Sequence, residues 1–190
     1  MKKYALVVGH TSTKDKGAYS ENLKISEFDY NLKVAQAIQA MCPEMFDIYT
    51  HETQDYYMRQ KGLAYKLNQK KYDAVFELHF NAASPIANGT ECCYYFASKK
   101  GLAIAQAISL AVMIEFNTRL RGDKGAKPLV NKNDRGYWFT YLPKAPAVII
   151  ESFFGSNAVE SEKFRDINRY AKTLFNVIKV YGEKHGILEF

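Results

Sequence analysis

The spacing of apolar positions changes several times along the chain, and each change marks an element. Tyr4 to Gly9 is a short apolar run closed by glycine, the pattern of a buried strand. Thr11 to Lys24 is polar, contains Gly17 and reads as a loop. Ser26 can cap a helix, with Asp29 in the capping-box position, and from Glu27 the residues Phe28, Leu32, Ala35 and Ile38 recur at helical spacing up to Pro43. Phe46 to His51 reads as a short strand. Asp55 to Leu67 reads as a helix burying Tyr56, Met58, Leu63 and Leu67. Ala74 to Phe80 is a central strand, Ala82 to Gly89 a loop, and Thr90 to Phe96 another strand. Lys99 to Asn117 is a long apolar helix. Arg119 to Ala145 is rich in Gly, Pro and Asn, with one short strand expected at Tyr137 to Tyr141. Ala147 to Ile150 is a buried strand ending at Glu151, and a last helix is expected from about Asn157 to Lys184.

Strands thus alternate with helices, which predicts an α/β fold: a mostly parallel twisted sheet of about five to six strands with helices on both faces. The short link between 74–80 and 90–96 predicts that these two strands pair antiparallel. No repeat or linker interrupts the chain, so residues 1–190 are expected to form a single domain.

Composition narrows the class. Apolar residues are 47% and charged residues 24%, ordinary for a globular fold, and 11 Gly with 5 Pro exclude a collagenous or low-complexity chain. The 3 cysteines lack any zinc-ribbon or CxxC spacing and are expected to be reduced thiols. The run Tyr4 to Val8 is too short for the apolar part of a signal peptide, and Leu102 to Phe116 is too short to span a bilayer. The net charge of +6 favours an anionic partner, but Lys and Arg are scattered, so no nucleic-acid or membrane partner is expected. Neither GxGxxG nor GxxxxGK[ST] occurs, and nucleotide cofactors are unsupported.

Open α/β sheets bind ligands at the carboxyl ends of their strands. The first strand ends in His10, the central strand at His79 followed by Asn81, and the strand 147–150 at Glu151, while Glu27 opens the first helix. Two imidazoles and a carboxylate suit Zn²⁺, and a further carboxylate would serve as proton acceptor for a water activated by the metal. The chemistry this implies is metal-assisted hydrolysis, most naturally of an amide.

Three blocks carry a resemblance. Val7-Val8-Gly9-His10, the Gly17-Ala18 loop and Glu27-Phe28-Asp29-Tyr30-Asn31-Leu32 form the first; Glu77-Leu78-His79-Phe80-Asn81-Ala82 the second; Pro146 through Glu151 to Asn157 the third, preceded by Arg121-Gly122. In order and spacing they resemble the catalytic domain of zinc-dependent N-acetylmuramoyl-L-alanine amidases of the amidase-3 type, whose fold is phosphorylase/hydrolase-like. The resemblance implies His10, Glu27 and His79 as zinc ligands and Glu151 as the catalytic carboxylate. It implies peptidoglycan as substrate, cleaved between N-acetylmuramic acid and L-alanine. Thr11-Ser12 replace the two glycines usual after the first His, and His51 stands where the family often has Arg after a Thr. Glu21 competes with Glu27 for the ligand role.

Glu77 shares a strand face with His79 and is either its hydrogen-bonding partner or a charge at the rim. His51 could approach the sheet edge but reads rather as a structural or surface residue, and His185 as solvent-exposed. Tyr137 to Tyr141 reads as core cover or as the lining of a substrate groove. Cys92 and Cys93 point to opposite faces, so at most one is expected inside the core, and neither has a base partner. A wall amidase without an export signal resembles a phage endolysin, made in the host cytoplasm and acting on the wall after release, and expected to be a monomer. The competing readings are a zinc carboxypeptidase trimming stem peptides and an inactive wall-binding module.

Overall fold

The structure, a computed structural model, describes residues 2–51 and 55–186, with side chains up to Gly182 at the C-terminal end; His185 therefore lies outside the described side chains. The elements are β1 (Tyr4–Val8), β2 (Tyr19–Ser20), β3 (Ile25–Ser26), α1 (Glu27–Met41), β4 (Phe46–Thr50), α2 (Tyr56–Leu67), β5 (Ala74–Asn81), β6 (Glu91–Tyr95), α3 (Lys99–Phe116), β7 (Ala126–Leu129), α4 (Tyr137–Tyr141), β8 (Ala147–Phe154), α5 (Ala158–Lys163) and α6 (Ile167–Gly186).

Six strands form one sheet in the order β4-β1-β5-β8-β6-β7. β4, β1, β5 and β8 run parallel; β6 runs antiparallel to β8, and β7 parallel to β6. This is the expected α/β architecture, with one correction of pairing. β6 is antiparallel as expected, but its partner is β8, which enters between β5 and β6. The buried β8 thereby hydrogen-bonds on both edges, which a direct β5–β6 hairpin would not allow.

The period-two alternation divides the core. Tyr4, Leu6 and Val8 of β1, Phe76, Leu78 and Phe80 of β5, and Val148 and Ile150 of β8 face α1, α3 and α6. Ala5, Val7, Val75, Ala147 and Ile149 face the opposite side, packing with Leu63 and Leu67 of α2 and with Tyr137 and Phe139 of α4. Both faces are covered, so Cys92 and Cys93 are both buried, one in each layer, where at most one had been expected inside. On the first face Phe164 stacks between Phe116 and Phe153, each at 4.3 Å between ring centroids.

Local chemistry sets the helix starts. The Ser26 hydroxyl accepts from the Asp29 amide, as its place in the sequence predicts, and Asp55, Ser98 and Asn157 cap α2, α3 and α5 in the same way. Five expectations give way. Tyr137 to Tyr141 is a helical turn, entered through Gly136 at φ 90° and burying Tyr137, Phe139 and Thr140; strand-favouring side chains yielded to the packing available on a covered sheet face. Ala126–Leu129, inside the stretch whose Gly, Pro and Asn content predicts loop, is the edge strand β7, where the missing N–H of Pro128 is tolerated. β8 continues past Glu151 to Phe154. The last helix is two helices, broken at Phe164, whose ring the aromatic stack takes into the core. In α2 the buried line is Gln60, Leu63, Ala64 and Leu67, while Met58 is 56% exposed and Tyr56 lies at the surface edge. Among the described residues no helix is long and apolar enough to cross a membrane.

Because Phe164 fills a site with no solvent access, Phe164→Ala is expected to cost about 3–5 kcal/mol of stability, read as a lowered urea midpoint. A loss below about 1 kcal/mol would show that the stack is not a keystone of this face.

Candidate metal centre

β1 and β5 lie side by side and parallel, so the residues that follow their apolar runs arrive at the same edge of the sheet. His10 leaves β1 through Gly9 in the left-handed region at φ 67°, a conformation held against steric cost and turning its ring along the sheet edge. The His79 ring lies directly over Gly9, where any Cβ would collide with it. The polar loop after β1 returns through the β2–β3 hairpin to Ser26 and so delivers Glu27 to the first turn of α1.

Glu27 is 4% exposed and joins the two imidazoles. Its Oε2 lies 3.1 Å from His10 Nε2, and its Oε1 lies 2.8 Å from His79 Nδ1. The backbone amides of Ala18 and Phe80 donate to the same two oxygens. Gly17, at φ 73°, makes room: a Cβ there would stand 2.6 Å from Glu27 Oε2. One donor atom from each of His10, Glu27 and His79 lies within 4.8 Å of the others. Two imidazole nitrogens and a carboxylate oxygen at such spacing fit a borderline-soft divalent cation.

Each imidazole meets a second carboxylate with its other nitrogen. His10 Nδ1 is 3.1 Å from Asp15 Oδ1, and Arg59 holds the other Asp15 oxygen at 3.1 Å. His79 Nε2 is 3.4 Å from Glu77 Oε2, and His51 Nε2 is 2.7 Å from Glu77 Oε1. Glu77 is 3% exposed and so is not a charge at the rim of the sheet; it lies between His51, buried with it, and His79.

Glu151 sits on β8 directly beside His79 in register, with Glu91 of β6 on its other side. Its Oε2 is buried and without a hydrogen-bond partner among the described residues. Burial pushes its carboxyl up to about 7; His79 pulls the other way, and Glu27, Glu91 and Glu77 add to the rise. Glu91 accepts from Asn81 Nδ2 at 3.1 Å and stands 3.4 Å from Arg121 Nε. Nothing in the local pattern marks Asp15, Arg59 or Glu91 as parts of this edge: a lone charge in a loop, on a helix or at a strand start is ordinarily solvated. Glu21, the competitor of Glu27, is exposed and pairs with Lys24 at 3.2 Å, away from the histidines. Trp138 meets Tyr57 at 4.8 Å near the surface, while Tyr137 and Phe139 belong to the core. Burial raises the Cys92 thiol to about 12, which leaves it inert as a nucleophile.

The family model for N-acetylmuramoyl-L-alanine amidase, amidase-3, matches residues 5–179. The chain belongs to this amidase family. None of the curated proteins compared with it matches. Among solved structures, the amidase of Clostridium difficile 630 is similar at 20% identity and a TM-score of 0.76, covering 96% of this chain and 97% of that one. The catalytic domain of the CD27L endolysin targeting Clostridia difficile is similar at 24% identity and 0.75, over 94% and 97%. The catalytic domain of CwlV from Bacillus (Paenibacillus) polymyxa var. colistinus is similar at 23% and 0.73, over 96% and 99%. These likenesses establish the fold, and the family match establishes a peptidoglycan amidase, as the sequence blocks had implied.

In this amidase the charge pattern of the cluster makes a sign-definite forecast for protein treated with chelator. Burial alone would raise the Glu27 carboxyl, but hydrogen bonds from His10 and His79 outweigh it and hold it down at about 2, below its ordinary 4.5. Burial alone would lower both imidazoles, but the carboxylates outweigh it and raise His10 and His79 above 6.5. The imidazole contribution is complete below 6.5 and is lost as pH rises through the raised values; the Glu27 contribution is complete above 4.5 and is lost as pH falls toward 2. The stability difference between wild type and Glu27→Gln should therefore be largest between 4.5 and 6.5 and shrink on both sides, measured by urea titration across pH. A difference that keeps growing above pH 6.5 would contradict this coupling.

Proposed function

We propose that this amidase hydrolyses the bond between N-acetylmuramic acid and L-alanine with one zinc ion held by His10, Glu27 and His79, and with Glu151 as the catalytic carboxylate. The observation that carries the reading is the convergence of those three donor groups beside a buried carboxylate oxygen that has no hydrogen-bond partner. Zinc bound there would supply a Lewis acid that acidifies a water and polarises the scissile carbonyl. The chain's own residues do the rest. Glu151 takes a proton from the attacking water as its oxygen bonds the carbonyl carbon. The Glu151 carboxyl then returns that proton to the L-alanine nitrogen as the C–N bond breaks, and the second proton of the water follows to the same nitrogen, leaving a muramic carboxylate and a protonated amine. A carboxyl raised to about 7 suits both halves of that exchange near neutral pH.

The reading extends in three ways. Residues 1–190 act as one catalytic domain and as a monomer. The net charge of +6 draws the domain to anionic wall polymers. The likeness to an endolysin catalytic domain supports a bacteriolytic, phage-lysin role. A carboxypeptidase reading has the same donor set but lacks the support of the family match.

Purified wild type and Glu151→Ala should be compared by metal analysis and by mass of the products from a defined muropeptide. The wild type is expected to carry one zinc and release the intact stem peptide. The variant should keep the zinc and lose about 10²–10⁴-fold in turnover. Intact turnover in Glu151→Ala would remove that residue from the mechanism, and products shortened at the stem terminus would make the enzyme a carboxypeptidase.

A further inference from the structure

We propose that His51 is a positioning residue of the metal site, acting on His79 through Glu77; the inference rests on the zinc reading above. His51 follows β4, two strands away from β5, yet its side chain has no solvent exposure and places Nε2 2.7 Å from Glu77 Oε1. Glu77 precedes His79 by two residues on β5, so both side chains leave the same face, and its second oxygen stands 3.4 Å from His79 Nε2. His79 turns its other nitrogen, Nδ1, to Glu27 at 2.8 Å.

Three groups in line thus have one consistent direction of hydrogen bonding. His51 Nε2–H donates to Glu77, which is acceptor only. Glu77 leaves its other oxygen to receive His79 Nε2–H. In the metal-free protein His79 Nδ1 donates to Glu27, and with Nε2–H kept by Glu77 it is Nδ1 that would give up its proton and offer its lone pair to a bound ion. His51 Nδ1 has no hydrogen-bond partner among the described residues, so Glu77 is the one polar group its ring engages there. The opposite flank has the same logic in weaker form. Asp15, which holds His10 and is held by Arg59, is 42% exposed in its side chain, whereas Glu77 is sealed from water, where a charged hydrogen bond is stronger. Without His51, a buried carboxylate would lose its closest donor and be free to rotate away from His79.

The test is zinc affinity by chelator competition on wild type, His51→Ala, His51→Gln and His79→Ala, with urea unfolding of each metal-free protein alongside. His51→Ala is expected to weaken zinc binding about 10- to 100-fold. His51→Gln, whose amide can donate to the same Glu77 oxygen, should recover most of that loss. Phe164→Ala, destabilised by packing alone, should leave the affinity where it was. If His51→Ala does not fold, His51→Phe fills the same space without a donor and should show the same loss against His51→Gln. Wild-type affinity in His51→Ala or His51→Phe, with binding lost in His79→Ala, would overturn the role of His51 and leave the zinc reading standing. Wild-type affinity in His79→Ala would remove the zinc reading itself and His51's role with it.

Discussion

One buried carboxylate organises the working edge of this protein. Glu27 is held at the first turn of α1, receives two backbone amides, and presents one oxygen to each of two imidazoles that come from different strands. An ionised carboxylate withdrawn from water is costly unless every lone pair is met. Here the donors meet it, and in doing so they fix the positions of His10 and His79 relative to each other. The left-handed backbone of His10, the glycines at 9 and 17 and the small β2–β3 hairpin are all explained by the need to bring those rings to Glu27.

The electrostatics follow from crowding. Glu27, Glu77, Glu91 and Glu151 gather at the carboxyl ends of β5 and β8 and the start of β6. Three of them have donors close by: the two imidazoles for Glu27, His51 for Glu77, Asn81 for Glu91. Glu151 has none for Oε2, and burial raises it toward neutrality. The same environment therefore gives carboxylates two opposite characters, one group held as an anion and another pushed toward its neutral form.

Much of this was legible in the chain. Strands buried on both faces read as continuous apolar runs, so the polar residue that ends each run stands out, and His10, His79 and Glu151 are all of that kind. Ser26 announces the helix that delivers Glu27. Strand order was not legible, because the period of a strand says which residues share a face and nothing about which neighbour it will find; hence β8 between β5 and β6 was missed. The Gly, Pro and Asn content around Pro128 hid an edge strand, and the aromatic run at 137–141 hid a helical turn. Asp15, Arg59 and Glu91 gain their meaning only from tertiary partners, and His51 becomes intelligible once Glu77 is seen beside it.

The central claim is that Glu27 gathers His10 and His79 into one cation site. Anomalous diffraction at the zinc edge from a zinc-equilibrated crystal tests it most directly. The account predicts a single strong peak about 2.0–2.2 Å from a nitrogen of each histidine and from a Glu27 oxygen. A peak coordinated by other side chains, or none at this edge in fully zinc-loaded protein, would contradict it.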